Sequence, residues 1–218
     1  MIALAASGLE EGMWLRAERQ TLGRGRQGRS WASPSGNLYV STLVRIRPSD
    51  PPAATLALVA AVALEETVSA YVPGMVLLKW PNDLLIDGAK LSGVLLERAG
   101  DAVVIGIGVN LAHHPTDTDR VATSLAVYDI AIAPEDFAET LADAFGRWVD
   151  VWRGQGIDAI RRRWVANAHP LGTPLTVRLA DGSALDGLFD GLDPQGALIL
   201  RLADGTRRVI HAGDVFLL

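Results

Sequence analysis

The chain has 218 residues, 49% of them hydrophobic, with a formal net charge of −5 and no cysteine. This suits one domain with a small appendage and a substantial core. The acidic balance argues against a general affinity for nucleic acid or anionic membrane, and the lack of cysteine excludes disulfides, thiolate metal sites and a cysteine nucleophile. The N-terminus lacks the basic start of a signal peptide. The longest apolar run, 53–64, stops at Glu65-Glu66 and is too short to cross a bilayer. A soluble, cytoplasmic protein with no membrane partner is expected.

Residues 1–12 read as the end of a helix (Ala3 to Ala6) and a turn at Ser7-Gly8. Residues 13–20 read as a strand that delivers Gln20 to the run Gly23-Arg24-Gly25-Arg26-Gln27-Gly28-Arg29-Ser30-Trp31. Glycine lets backbone N–H groups approach a bound group closely, and arginine presents a planar fork of donors to carboxylate or phosphate. The run reads as a mobile cationic flap suited to an anion. From these residues alone, a nucleic-acid tether and a plain solvated loop stay open as well. Residues 37–47 form a strand with Tyr39, Val40, Thr42, Val44 and Ile46, broken by Pro48, Pro51 and Pro52. Apolar residues at helical spacing predict a core helix over 54–71.

Next come a buried-type strand at 75–80, a turn at Pro81-Asn82-Asp83, and Leu84-Leu85-Ile86 running into Asp87-Gly88, a hairpin signal. The return strand, 89–98, carries Lys90, and a further apolar strand covers 102–111. Strands with one helix between them indicate a mixed or antiparallel sheet, not a repeated βαβ winding. The polar loop 113–120 holds His113-His114, which read as solvated because no third ligand accompanies them. Pro134 suits the first position of a helix that runs to Arg153, with Gly154 as its stop. A second helix covers 157–168, with Arg161-Arg162-Arg163 on a solvated face. After His169-Pro170-Leu171-Gly172 the pattern changes to about five short alternating strands with turns at Asp181-Gly182, Asp193-Pro194-Gln195-Gly196 and Asp204-Gly205. That pattern suggests a small barrel, too small to be secure on its own. A division into 1–169 and 170–218 follows.

Of the 20 basic residues only Lys79 and Lys90 are lysines, eleven positions apart. A compact ammonium differs from a guanidinium where a point charge must meet a reacting phosphate. Chance retention on the surface is the plain alternative.

Three motifs now stand in order: the 23–31 flap preceded by Gln20; Lys79-Trp80-Pro81-Asn82-Asp83 followed by Lys90-Leu91-Ser92-Gly93; and Gly106-Ile107-Gly108-Val109-Asn110. Together they resemble the biotin protein ligases over nearly the whole chain. The resemblance implies an α+β fold of the class II aminoacyl-tRNA synthetase and biotin ligase type, with a mixed or antiparallel sheet, packing helices and a small C-terminal SH3-like barrel. It implies that biotin and ATP, with Mg²⁺, give biotinyl-5′-AMP, and that a lysine of a biotin carboxyl carrier domain then takes the biotin. Lys90 becomes the candidate electrostatic catalyst between carboxylate and α-phosphate. Gln20, Arg24, Gly25, Arg26, Lys90 and Gly93 become the biotin-binding set. Arg24, Arg26, Trp31, Lys79, Asn82 and Asn110 become the ATP-binding set. Trp31 reads equally as an adenine-stacking or a core indole, Trp80 as core, and Asp83 as a partner of Lys79, a shell for Mg²⁺ or a turn acid. No dedicated metal cage is visible, so metal ligands stay unassigned.

The chain departs from the family in one respect. The Ser-Thr-Asn segment that usually precedes the first helix and helps to hold biotin is missing, because Met1 falls inside that helix. A start placed too far downstream, and weaker biotin binding, are the expectations. Nothing ahead of Met13 could form a DNA-binding helix-turn-helix, so a short form without DNA as partner is expected. The resemblance leaves a homodimer open. The alternatives are a lipoate- or octanoyl-type acyl ligase, or a non-catalytic biotin-binding protein.

Overall fold

Strand alternation sorts the larger sheet into two faces, and that sorting positions the site. The computed structural model describes residues 1–117 and 121–217; the last three positions of the polar loop expected at 113–120 lie outside them. Strands β1 (Trp14–Ala17), β2 (Leu38–Arg45), β3 (Val76–Lys79), β4 (Asp83–Ile86), β5 (Ala89–Ala99) and β6 (Ala102–Val109) form a sheet of order β1-β2-β6-β5-β4-β3. Every ladder in it is antiparallel. The hairpin signal is correct: β4 and β5 join through Asp87 and Gly88 at φ 51° and 78°, the left-handed pair of a type I′ turn.

One face of this sheet sends Leu38, Val40 and Val44 from β2 and Val103, Ile105, Ile107 and Val109 from β6 into the main core. Helices α2 (Leu56–Ser69), α3 (Pro134–Gln155) and α4 (Ile157–Ala166) cover it. Helix α2 is apolar nearly all round and buried along most of its length, as such a helix must be. Pro134 opens α3 as expected, but Gly154 does not end it; the helix runs to Gln155 and is capped by Gly156 at φ 77°. An interior glycine costs about 1 kcal/mol. Two neighbouring anchors offset it: Trp152 is buried and donates from Nε1 to Thr55 Oγ1 at 2.8 Å, and Arg153 forks onto Glu11 at 2.9 Å. Of the three arginines on α4, Arg163 pairs with the buried Glu65 at 2.8 Å and Arg161 with Asp158 at 3.1 Å. On the opposite face of the sheet, α1 (Ile2–Ala6) sets Ala5 on Leu43, Ala102 and Val104. The remainder of that face belongs to the site.

The C-terminal part has the five strands its alternation indicated. They are β7 (Pro174–Arg178), β8 (Ala184–Leu192), β9 (Leu198–Arg201), β10 (Arg207–Ile210) and β11 (Asp214–Leu217). Their order is β10-β9-β8-β7-β11. The small barrel expected from the alternation takes the form of this five-stranded antiparallel sheet, in which no ladder joins β10 to β11 among the described residues. Leu175, Val177, Phe189, Leu198, Leu200 and Val215 enter the same core cluster as the first sheet. Trp80, a core indole as expected, donates from Nε1 to the Gly196 carbonyl at 3.2 Å. No helix among the described residues is long and apolar enough to cross a membrane.

Candidate active site

Antiparallel registers align one residue from each strand of the larger sheet: Ala17, Tyr39, Gly108, Gly93, Asp83 and Lys79 lie in a single row. Two residues along the strands, the next row on the same face holds Ser41, Gly106 and Leu95. Glycines therefore form the middle of an otherwise ordinary sheet surface. Above them lies a cavity of about 1260 Å³. Its floor is backbone, which a flat group can approach closely.

Lys90 reaches this face through an irregularity. Simple alternation would put residues 90 and 93 on opposite faces. The β4–β5 register shifts between Leu84, opposite Ser92, and Leu85, opposite Lys90, so Leu91 is an extra, bulged residue. Leu91 turns into the core, and Lys90 joins Gly93 in the cavity. The Lys90 backbone is held on its other side by 2.9 Å bonds with Val121 and Thr123. Asn110 secures that segment by donating to the Thr123 carbonyl at 3.0 Å. Lys90 Nζ lies 2.5 Å from Asp83 Oδ1, which is buried. Of the readings open for Asp83, the structure thus supports an ammonium partner, with Lys90 in hydrogen-bond contact.

The flap folds back on itself. Arg24 bridges Ser30, Trp31 N donates to Gly23 O at 2.9 Å, and Gly25 N donates to Arg29 O at 2.8 Å. Gly23 has no room for a Cβ, which would collide with Trp31 O and Ser33 Oγ. Gln20 Oε1 accepts from Ser33 Oγ at 3.0 Å. Trp31 descends onto the floor: an added Cβ at Gly108 would lie 2.7 Å from its ring and one at Gly93 3.3 Å. Its ring centroid is 5.4 Å from Lys90 Nζ, and its buried Nε1 has no hydrogen-bond partner among the described residues. Arg24 pairs with Glu97 at 3.6 Å. Arg26 reaches Asn82 Oδ1 at 3.5 Å and Gly213 O at 3.4 Å, while Asn82 donates to Val94 O at 2.5 Å. Arg29 forks onto Asp214 of β11, and that hydrogen bond raises its already high pKa.

The cavity is therefore two-ended. Gln20, Tyr39, Ser41 and the glycines make one end nearly uncharged, and Arg26 and Arg29 lie with Asn82 and the Gly213–Asp214 segment at the other. Lys90 stands between. Such a site fits a ligand pair that is neutral and flat at one end and polyanionic at the other. For Mg²⁺ the fit is poor as a resident ion. The described residues hold no cluster of three metal-ligating side chains, and Asp83 and Asp214 already face cations.

Comparison with known proteins agrees with this geometry. Residues 4–110 match the biotin/lipoate A/B protein ligase family and residues 171–218 match the biotin protein ligase C-terminal domain. A biotin–[acetyl-CoA-carboxylase] ligase of Paracoccus denitrificans is 39% identical over 97% of this chain and 92% of its own. The chain belongs to the biotin protein ligase family. Among solved ligases, one from Aquifex aeolicus in complex with biotin and ATP superposes with a TM-score of 0.87. It is 25% identical and covers 99% of this chain and 93% of its own. One from Leishmania major in complex with biotinyl-5-AMP gives 0.63, with 26% identity over 97% and 94% of the two chains.

For a biotin ligase family member, the residues singled out from the sequence converge well. Gln20, Arg24, Gly25, Arg26, Trp31, Asn82, Lys90, Gly93 and Asn110 all line the one cavity. Lys79 does not line it; this lysine ends the six-residue row and stands 5.9 Å from the ring of Phe216, which does. His114 binds Ser124 Oγ at 3.1 Å through Nδ1. Sequence reasoning missed Tyr39, Ser41, Glu97, Arg29 as a clasp, and the wall from Arg178 to Phe216. Only strand alternation could have suggested the first two. Nothing local marks the wall, because it belongs to the other sheet.

Proposed function

We propose that this chain activates biotin with ATP and transfers it to a lysine of a biotin carboxyl carrier domain. A biotin carboxylate oxygen bonds the α-phosphorus as the bond to the β-phosphate oxygen breaks and pyrophosphate leaves. The carrier amine then bonds the acyl carbon, AMP leaves, and the amine loses its proton to solvent. The observation that carries this reading is the single cavity with a glycine floor at one end, guanidinium groups at the other and Lys90 between. Two anions must meet there, and a fixed cation in a partly enclosed site reduces their repulsion far more than bulk water can.

In this reading Lys90 is the catalytic residue. Gln20, Gly25 and Gly93 hold biotin, with Arg24 and Arg26 over its carboxylate and the phosphates. Trp31, Asn82 and Asn110 serve the nucleotide, and Lys79 adds charge behind Phe216. Mg²⁺ enters as part of the substrate MgATP, screening the phosphates. Residues 1–169 form the catalytic part and 170–218 the appended one, in a cytoplasmic protein. The flap shields the mixed anhydride from water. The test is incubation with biotin, ATP and Mg²⁺ followed by mass detection of biotinyl-AMP and of the biotinylated carrier. Bound biotin with no pyrophosphate release would make the chain a sensor. Preferential formation of lipoyl-AMP would make it a lipoate ligase.

A further inference from the structure

The wall that closes the cavity opposite the glycine end comes from the C-terminal sheet, and the roles above leave it unused. Arg178 and Leu179 at the end of β7, with Asp214 and Phe216 of β11, line it. The Arg178 guanidinium stacks on Phe216 at 4.6 Å. Asp214 lies directly opposite Arg178 across the β7–β11 ladder, yet its carboxylate turns to Arg29. No carboxylate pairs with Arg178 among the described residues. Arg26 arrives at the same wall through the Gly213 carbonyl. Arg26 at the Gly213 carbonyl, Arg29 at Asp214 and Arg178 over Phe216 thus bring three guanidinium groups to this wall, and Lys79 stands 5.9 Å from the Phe216 ring.

Clustered like charges repel, and an anion of more than one charge relieves them. Planar stacking on an aromatic face holds a guanidinium in place, so less freedom is lost when it binds. We propose that Arg178, held on Phe216, binds the β- and γ-phosphates of ATP and the pyrophosphate they become. Arg178 is then a ligand-contacting residue donated by the C-terminal sheet, and Phe216 is its positioning residue. The inference rests on the adenylation reading. As the bond between the α-phosphorus and the bridging oxygen breaks, its electron pair stays on pyrophosphate, and Arg178 meets the charge that develops there.

The experiment uses the full chain. Arg178→Gln should raise KM for ATP in biotin-dependent pyrophosphate release about tenfold, the order expected for one charge-assisted contact. It should weaken pyrophosphate inhibition by a similar factor and leave biotin affinity unchanged. Phe216→Leu should act in the same direction, and Phe216→Tyr should restore the wild-type values, which a merely structural role would not produce. Calorimetry with inorganic pyrophosphate alone reads the same site without any biotin chemistry. Wild-type chain that binds pyrophosphate while Arg178→Gln does not supports the proposal even if biotin proves to be the wrong acid. Equal pyrophosphate binding by both chains overturns it. A defect confined to transfer from preformed biotinyl-AMP to the carrier also overturns it, and would assign Arg178 to the carrier surface instead.

Discussion

Replacing Lys90 by methionine separates its chemical role from its structural one. Methionine keeps the length of the side chain and removes the ammonium that sits 2.5 Å from Asp83 Oδ1. On the rate, loss of one preorganised charge donor costs about 10²–10³ in kcat, or roughly 2.7–4 kcal/mol. On stability, the Asp83 carboxylate, 5% exposed, stays behind without that ammonium. A fully buried pair would cost about 3–5 kcal/mol to break. The Lys90 side chain is 24% exposed, so solvent screens part of this and about 1–3 kcal/mol is expected. Asp83→Asn added to Lys90→Met removes the carboxylate charge that has lost this ammonium and should recover part of the stability but none of the rate. Biotin-dependent pyrophosphate release in a single turnover, paired with urea unfolding of the same preparations, measures both. Release by Lys90→Met within tenfold of wild type, or a double variant that regains the rate, would refute the electrostatic role.

Gly108→Ala puts a methyl group 2.7 Å from the Trp31 ring. The indole must leave the floor, and ATP affinity measured by calorimetry should fall about tenfold, with a stability loss of about 1–3 kcal/mol. Asp214→Asn removes the carboxylate that clasps Arg29, so trypsin should cut at the flap arginines several-fold faster in the absence of ligand. Glu11 links pH to stability: hydrogen bonding from Arg153 first, against burial, lowers its pKa from 4.5 to about 2. Its contribution is complete above pH 4.5 and is lost as pH falls toward 2. Discounted for its partial exposure it amounts to about 1–2 kcal/mol, and Glu11→Gln should flatten the acid limb of the stability profile by that amount.

Much of the fold was legible because local signals and tertiary demands agree here. Asp87-Gly88 can satisfy a two-residue hairpin at positive φ, Pro134 suits a helix start, and the 54–71 run is too apolar to lie anywhere but inside. Gly154 misled because a single glycine is a weak stop beside Trp152 and Arg153, which are anchored through distant residues. The cavity was legible as three motifs but not as a shape. The bulge at Leu91 decides which face Lys90 occupies, and nothing in Lys90-Leu91-Ser92-Gly93 reveals that one residue is unmatched until its partner strand is known. The clasp from Arg29 to Asp214 joins residues 185 positions apart, and the cationic wall depends on how the second sheet leans on the first. The small C-terminal sheet was legible as a set of strands, but strand count alone does not determine which of them share a ladder.

Both sheets pour their apolar side chains into a single interior, and this has a consequence for dissection. A shortened chain ending near residue 170 would strip cover from the Trp80 and Trp164 region and leave oily surface facing water. The C-terminal piece alone would expose its own half of that seam. Heating should therefore produce one cooperative transition rather than two, and neither piece should persist as an independent soluble body. Any loosening of the seam should be felt in nucleotide turnover well before the protein comes apart, because the same lean that buries the seam also brings β11 up to the flap.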